Sequence, residues 1–214
     1  MEELTYGIIS EGPTDQVVLK NILFGYTENK DLDVRMLQPK ANETGNWCKV
    51  FDYCCSSDFK TAFAFCDIII IQIDTDFMLK GEVPANYYID IQQLDVAKTV
   101  AAFQQKIIEL IGKKFYEAYA EYIIFAISVH EIECWFLPLY FPNQKKKAAK
   151  TENCIAVLNK ALKQKEGFYI NAKNLEYYET MAKHFRKAKR KGIEKLAAQN
   201  PSFEIFILSL EKLH

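Results

Sequence analysis

The sequence predicts an α/β fold, a mostly parallel sheet of about four strands flanked by helices and followed by a helical C-terminal extension. Two observations carry this. The run Ile68-Ile69-Ile70-Ile71-Gln72-Ile73 shows almost no polar alternation. As a strand it is apolar on both faces, the pattern of a parallel sheet covered on each side by helices. Short apolar runs of this kind then alternate with stretches of helical periodicity, the order that parallel sheets with crossover helices require. Beyond Pro142 only helical segments remain. The expected division is an α/β unit over 1–142 and a basic helical extension over 143–214 packed on it.

The elements come in this order. Leu4 to Ser10 reads as the first strand, ending at Glu11-Gly12-Pro13-Thr14-Asp15. Gly12 permits a turn, Pro13 fits a turn or a first helical position, and Thr14 is a fair N-cap. Val17, Val18, Ile22 and Leu23 give the next helix its apolar spacing. Asp33 to Leu37 is a second strand stopped by Pro39, and Ala41 to Asn46 is a polar loop. Trp47 to Phe65 reads as helix, with a break near Ser56-Ser57. The isoleucine strand runs into Asp74-Thr75-Asp76. Ile91 to Tyr119 reads as a long helix interrupted at Gly112, and Tyr122 to Val129 as the fourth strand, running into His130-Glu131-Ile132-Glu133. Helices are expected near Glu152–Gln164, Ala172–Lys191 and Pro201–Leu213, the last capped by Asn200.

Composition bounds the function. Half of the 214 residues are hydrophobic, enough for a real core, and the net charge of −1 implies no partner by itself. Its distribution is uneven. From Asn143 to Lys195 there are 15 Lys/Arg against 5 Asp/Glu, so the acidic excess lies in the rest of the chain. The six cysteines form no CxxC pair and have no His at zinc-ligand spacing. They read as packing thiols, the vicinal Cys54-Cys55 pair included. Met1-Glu2-Glu3 shows no signal-peptide character, and no apolar run reaches the roughly 20 residues that span a bilayer. The expectation is a cytoplasmic protein without a membrane partner.

Three strands deliver acids to one sheet edge: Glu11 after the first, Asp74 and Asp76 after the third, Glu131 or Glu133 after the fourth. Residues i and i+2 of an extended chain point the same way, so Asp74 and Asp76 aim at one point. Open α/β sheets place their ligand crevice at this edge. Carboxylates without His or Cys partners suit hard cations, Mg²⁺ or Mn²⁺. Two such ions ~4 Å apart can serve phosphoryl transfer. Asp15 joins the set or simply complements its helix dipole. If the strand continues through residues 131–133, both glutamates face the site; if a helix starts at His130, only one does, and Glu131, nearer the strand, ranks first. His130 reads as a hydrogen-bonded polar residue, and Trp135 and Phe136 as core. The stretch Lys183 to Lys191, with Arg186, Lys187, Lys189 and Arg190, is either a solvated helix face or the footprint of a polyanion.

Glu-Gly-x-Thr-Asp after the first strand (Glu11 to Asp15), followed by an apolar strand ending in Asp-x-Asp (Asp74 to Asp76), resembles the Toprim domain, a Rossmann-like fold of topoisomerases, bacterial primases and nucleases of the overcoming-lysogenization-defect type. The segment Ser128 to Trp135 is similar to a Glu-Ile-Glu-x-Trp signature of small bacterial Toprim-like proteins, many from phage-defence or mobile-element settings. Asn200-Pro201-Ser202-Phe203 with Phe206 and Leu210 is similar to their C-terminal helix. The resemblance implies Glu11 as metal ligand or general acid/base and Asp74 and Asp76 as metal ligands. It adds Asp15, Glu131 and Glu133 at a second metal in the nuclease branch. That branch also uses a basic residue near the scissile phosphate, for which Lys183, Arg186 and Lys80 are candidates without a motif. The expected function is Mg²⁺- or Mn²⁺-dependent phosphodiester hydrolysis of nucleic acid, DNA ahead of RNA. The alternative is a non-catalytic, metal-dependent nucleic-acid or nucleotide-binding module working with a partner ATPase.

Overall fold

A computed structural model describes residues 4–80 and 83–213. Met1-Glu2-Glu3 and the side chain of Lys80 lie outside the described residues. The fold is α/β: a four-stranded, all-parallel sheet in the order β2-β1-β3-β4. Its strands are β1 (Tyr6–Ile9), β2 (Val34–Gln38), β3 (Ile68–Asp74) and β4 (Ile123–Ser128). Between them run α1 (Pro13–Tyr26), α2 (Trp47–Cys55), α3 (Ser57–Ala62), α4 (Phe77–Lys80), α5 (Val96–Ile111) and α6 (Lys113–Tyr119). After β4 come a 3₁₀ turn (Ile132–Phe136), α7 (Leu137–Tyr140), α8 (Lys145–Ala148), α9 (Cys154–Lys165), α10 (Leu175–Ala197) and α11 (Pro201–Glu211).

The isoleucine run explains the layering. Every residue of β3 is buried. Ile68 and Ile70 face a core shared with α1, α9, α10 and α11. Ile69, Ile71 and Ile73 face a second core shared with α2 and α5. The period of two sends alternate residues to opposite layers. Each buried isoleucine contributes about 1.5–3 kcal/mol, which offsets the cost of ending the strand on a carboxylate. Gln72 and Asp74 continue the parity of Ile68 and Ile70. Among the described residues, no helix is long and apolar enough to cross a membrane.

The expected break at Ser56-Ser57 is present, and several other boundaries differ from expectation, each for a local reason. α1 is capped by Gly12 with Pro13 at its first position, so Thr14 lies inside the helix. Ser56 breaks the second helical stretch by accepting from Phe59 N at 3.3 Å, which starts α3. The long helix begins at Val96 rather than Ile91, because Asp95 accepts from Lys98 N at 2.9 Å and fixes the N-terminus there. α10 begins at Leu175 rather than Ala172, with Asn174 accepting from Glu176 N and Tyr177 N. It is kinked at Lys189, whose φ of 58° is non-helical, so Lys183 to Arg190 do not form one continuous helix face. The six cysteines are not all thiols: Cys134 and Cys154 form a disulfide, 20 residues apart, that ties the 3₁₀ turn to the start of α9.

Candidate metal centre

The chain reverses its direction of sheet growth between β1 and β3: β2 was added outside β1, whereas β4 is added outside β3. Such switch points open a crevice at the carboxyl ends of the two central strands. β3 runs three residues beyond the Ile9–Ile71 pair that ends its ladder with β1. The ladder is completed by side chains instead. Asp74 N donates to Glu11 Oε1 at 2.8 Å, and Glu11 N donates to Gln72 Oε1 at 3.3 Å. Gln72 Nε2 donates to Asp74 Oδ1 at 2.9 Å. A backbone N–H that would otherwise be orphaned thereby fixes the Glu11 carboxylate. The loop after β2 closes on the same turn, and at Gly45 a Cβ would collide with the Glu11 carbonyl oxygen.

β4 is laced to the end of β3. Thr75 N and Asp76 N each donate to the His130 carbonyl at 3.1 Å, and His130 N donates to Thr75 Oγ1 at 2.8 Å. His130 takes a φ of 63° and ends the strand direction. Its imidazole Nε2 lies 3.7 Å from Glu152 Oε1. The two glutamates beyond it then separate. Glu131 Oε1 accepts from Ile155 N at 3.1 Å and so caps α9, whose N-cap Asn153 makes no side-chain cap bond. Glu133 is buried in the 3₁₀ turn and accepts from the Tyr178 hydroxyl. Both glutamates line the acid cavity, and Glu133 is the buried one of the two, because the chain turns at His130 instead of continuing as a strand. Trp135 and Phe136 are core, and Trp135 Nε1 donates to Ser202 Oγ at 2.9 Å.

Glu11, Asp74, Asp76, Glu131 and Glu133 line one cavity of about 480 Å³. Asp15 lies behind its wall, fully buried, with Oδ2 making no hydrogen bond. The cavity also holds a residue that the sequence did not nominate. Lys173 Nζ lies 3.3 Å from Asp15 Oδ1 and 3.9 Å from Asp74 Oδ2. The loop carrying it is anchored on one side by Ile170, whose N–H and carbonyl both bond the Asn159 side chain, at 2.6 and 2.7 Å. On the other side it is anchored by the Asn174 cap. A helix that starts at Ala172 would absorb Lys173; the N-cap residue type at Asn174 marks the later start. Gln72, the single polar residue in the isoleucine run, and Tyr178 are the other contributors that residue patterns had not singled out.

The charges are poorly compensated. Burial, and then Asp15, push the Glu11 carboxyl up to about 8. Burial pushes Asp15 up to about 6, against the pull of Lys173. Burial and Glu11 raise Asp74 well above the ordinary carboxylate range. Desolvation opposes the charge on Lys173, yet Asp15, Asp74, Glu133 and Glu11 outweigh it and raise its pKa. The folded chain therefore holds protons that the unfolded chain has released. That stability is complete below the unfolded carboxylate values and is lost as pH rises through about 6 and then about 8. In chelator, the midpoint of thermal unfolding is expected to fall by several degrees between about pH 5 and pH 9. A midpoint that rises across that window would contradict the assignment of these carboxyls as strained.

Carboxylate oxygens suit a hard cation, and no His or thiolate joins them at the cavity. Among the described residues, the one group with three ligand atoms mutually within 4.8 Å is Glu131, Cys134 and Cys154, and both sulfurs are spent in the disulfide. No three of the described cavity carboxylates bring an oxygen each within 4.8 Å of one another.

The basic stretch is partly committed to holding α10 on α1. Arg186 stacks 5.2 Å from the Phe24 ring centre and Arg190 4.7 Å from that of Tyr26. Lys189 pairs with Glu28 at 3.3 Å, and Lys183 with Glu179 at 4.0 Å. Lys187 is exposed. No family model matches the chain, and neither a curated protein nor a solved structure matches it.

Proposed function

We propose that this chain is a Mg²⁺- or Mn²⁺-dependent phosphodiester hydrolase of the Toprim type acting on nucleic acid, in a phage-defence or mobile-element setting. One observation carries the reading. Acids that follow three strands, Glu11, Asp74, Asp76, Glu131 and Glu133, line one cavity, and among the described residues its one lysine is Lys173. Bound divalent cations would supply charge neutralisation for the phosphate and a more acidic attacking water.

The chain's own residues have separable roles. Asp74, Asp76 and Glu133 offer the hard oxygen ligands. Glu11 is held in place by the Asp74 N–H and, with its carboxyl pushed up to about 8, can hold or release a proton near neutral pH. Gln72 is a positioning residue, since it bridges the Glu11 backbone and the Asp74 carboxylate. Tyr178 orients Glu133. Lys173, half exposed on its solvent side, is placed to hold a non-bridging phosphate oxygen while its inner side balances Asp15 and Asp74.

Labelled single- and double-stranded DNA and RNA, incubated with the full chain in Mn²⁺ and in Mg²⁺, test this. Cleavage that chelator abolishes is expected. Absence of cleavage on all four substrates in both metals would sink the reading, and metal-dependent binding without turnover would favour the non-catalytic module instead.

A further inference from the structure

A second cavity of about 480 Å³ opens between α1, the segment after β2 and α10. Lys20, Lys40 and Arg186 reach it from three different elements, with Phe24 and Gln16 between them. Lys20 Nζ lies 5.4 Å and the Arg186 guanidinium 5.2 Å from the Phe24 ring centre. Among the described residues, none of the three cations makes an ion pair. The acid at this cavity, Glu179, pairs with Lys183 at 4.0 Å. A third cavity, about 510 Å³, joins this one to the acid centre. It shares Glu11 and Lys173 with the first and Pro13 and Leu175 with the second. Its acids are Glu11 and Glu43, the latter accepting from Lys40 N at 3.2 Å. The three cavities form one depression running from the carboxylates over the start of α1 to the cations.

Stacking on Phe24 gives Lys20 and Arg186 a packing role, but Lys40 has none. Three like charges around one cavity repel, and an anionic ligand relieves that repulsion. Cations at this density suit successive phosphates, while an aromatic ring and a guanidinium plane suit the face of an unpaired base. We infer that the depression holds the single-stranded stretch of polynucleotide flanking the scissile phosphate, with Lys20, Lys40 and Arg186 on its backbone and Phe24 with Arg186 beside a base. This rests on the proposed phosphodiester chemistry for the identity of its other end. It moves the nucleic-acid contact from the length of α10 to the α1 face, keeping Arg186 and adding Lys20 and Lys40.

The test is fluorescence anisotropy of a labelled oligothymidylate of about 12 nucleotides, measured in chelator across a salt series. Lys20→Gln/Lys40→Gln/Arg186→Gln is expected to weaken binding at least about tenfold and to make the salt slope shallower by about 2. Lys98→Gln/Lys113→Gln/Lys114→Gln removes the same charge on the opposite side of the sheet and is expected to change neither. Arg186→Lys is expected to keep the slope and lose affinity. Wild-type protein that does not bind, unchanged binding in the first triple variant, or equal loss in both triples would overturn the inference. Groove-dependent binding without cleavage in Mn²⁺ would support it while sinking the hydrolase reading. Cleavage with groove-independent binding would do the reverse.

Discussion

Asp74→Ala is expected to lower metal-dependent cleavage by at least about 100-fold while leaving the chain folded. The loss of outer-shell groups at metal sites already costs about 10- to 100-fold, and Asp74 is proposed as a ligand itself. It ends the central strand, only 4% exposed, with Glu11 on one side and Lys173 on the other. Its removal also takes one carboxylate out of a set in which burial and repulsion already raise Glu11 and Asp15. In chelator at about pH 8 the variant is therefore expected to melt no lower than the wild type. Rates in Mn²⁺ and unfolding midpoints in chelator check both halves. A variant that still cleaves within about tenfold of wild type would remove Asp74 from the chemistry.

Lys173→Gln separates the two tasks given to that ammonium. Among the described residues it is the one cation paired with Asp15 and Asp74. Its loss is expected to lower the unfolding midpoint of the metal-free chain, most strongly above about pH 8 and least near pH 5, where the carboxyls hold protons. Divalent binding is expected to stay as tight or become tighter, because a competing positive charge has gone. Cleavage at saturating metal is nonetheless expected to fall about 100-fold or more, as when a single donor to a developing oxyanion is removed. Calorimetric Mn²⁺ titration read beside the cleavage rate distinguishes these effects. Weaker metal binding with an unchanged rate at saturation would assign Lys173 to structure alone.

The sheet was legible because unalternating apolar runs have few other uses. Ile68 to Ile73 defined β3 and, by its parity, the two cores. Glu11, Asp74 and Asp76 were legible because each comes directly after such a run. The turn beyond the fourth strand was not legible. That Glu133 is buried while Glu131 caps α9 depends on the positive φ at His130, a turn that no residue pattern in the sequence marks. Lys173 was hidden by distance: it meets Asp15 across 158 residues, and no local pattern encodes that contact. The Cys134–Cys154 bond likewise depends on the chain returning after α8. Gln72 did carry a signal, a lone amide in an otherwise apolar buried strand, which needs hydrogen-bond partners wherever it lies.

The acid centre is proposed to bind divalent cations. Anomalous diffraction from a crystal soaked in Mn²⁺ tests it most directly. One or two peaks among Glu11, Asp74, Asp76 and Glu133, absent from a crystal of Asp74→Ala, are the expected result. A soaked wild-type crystal with no peak in that cavity, and Lys173 still between Asp15 and Asp74, would contradict it and leave the carboxylates neutralised by the chain's own lysine.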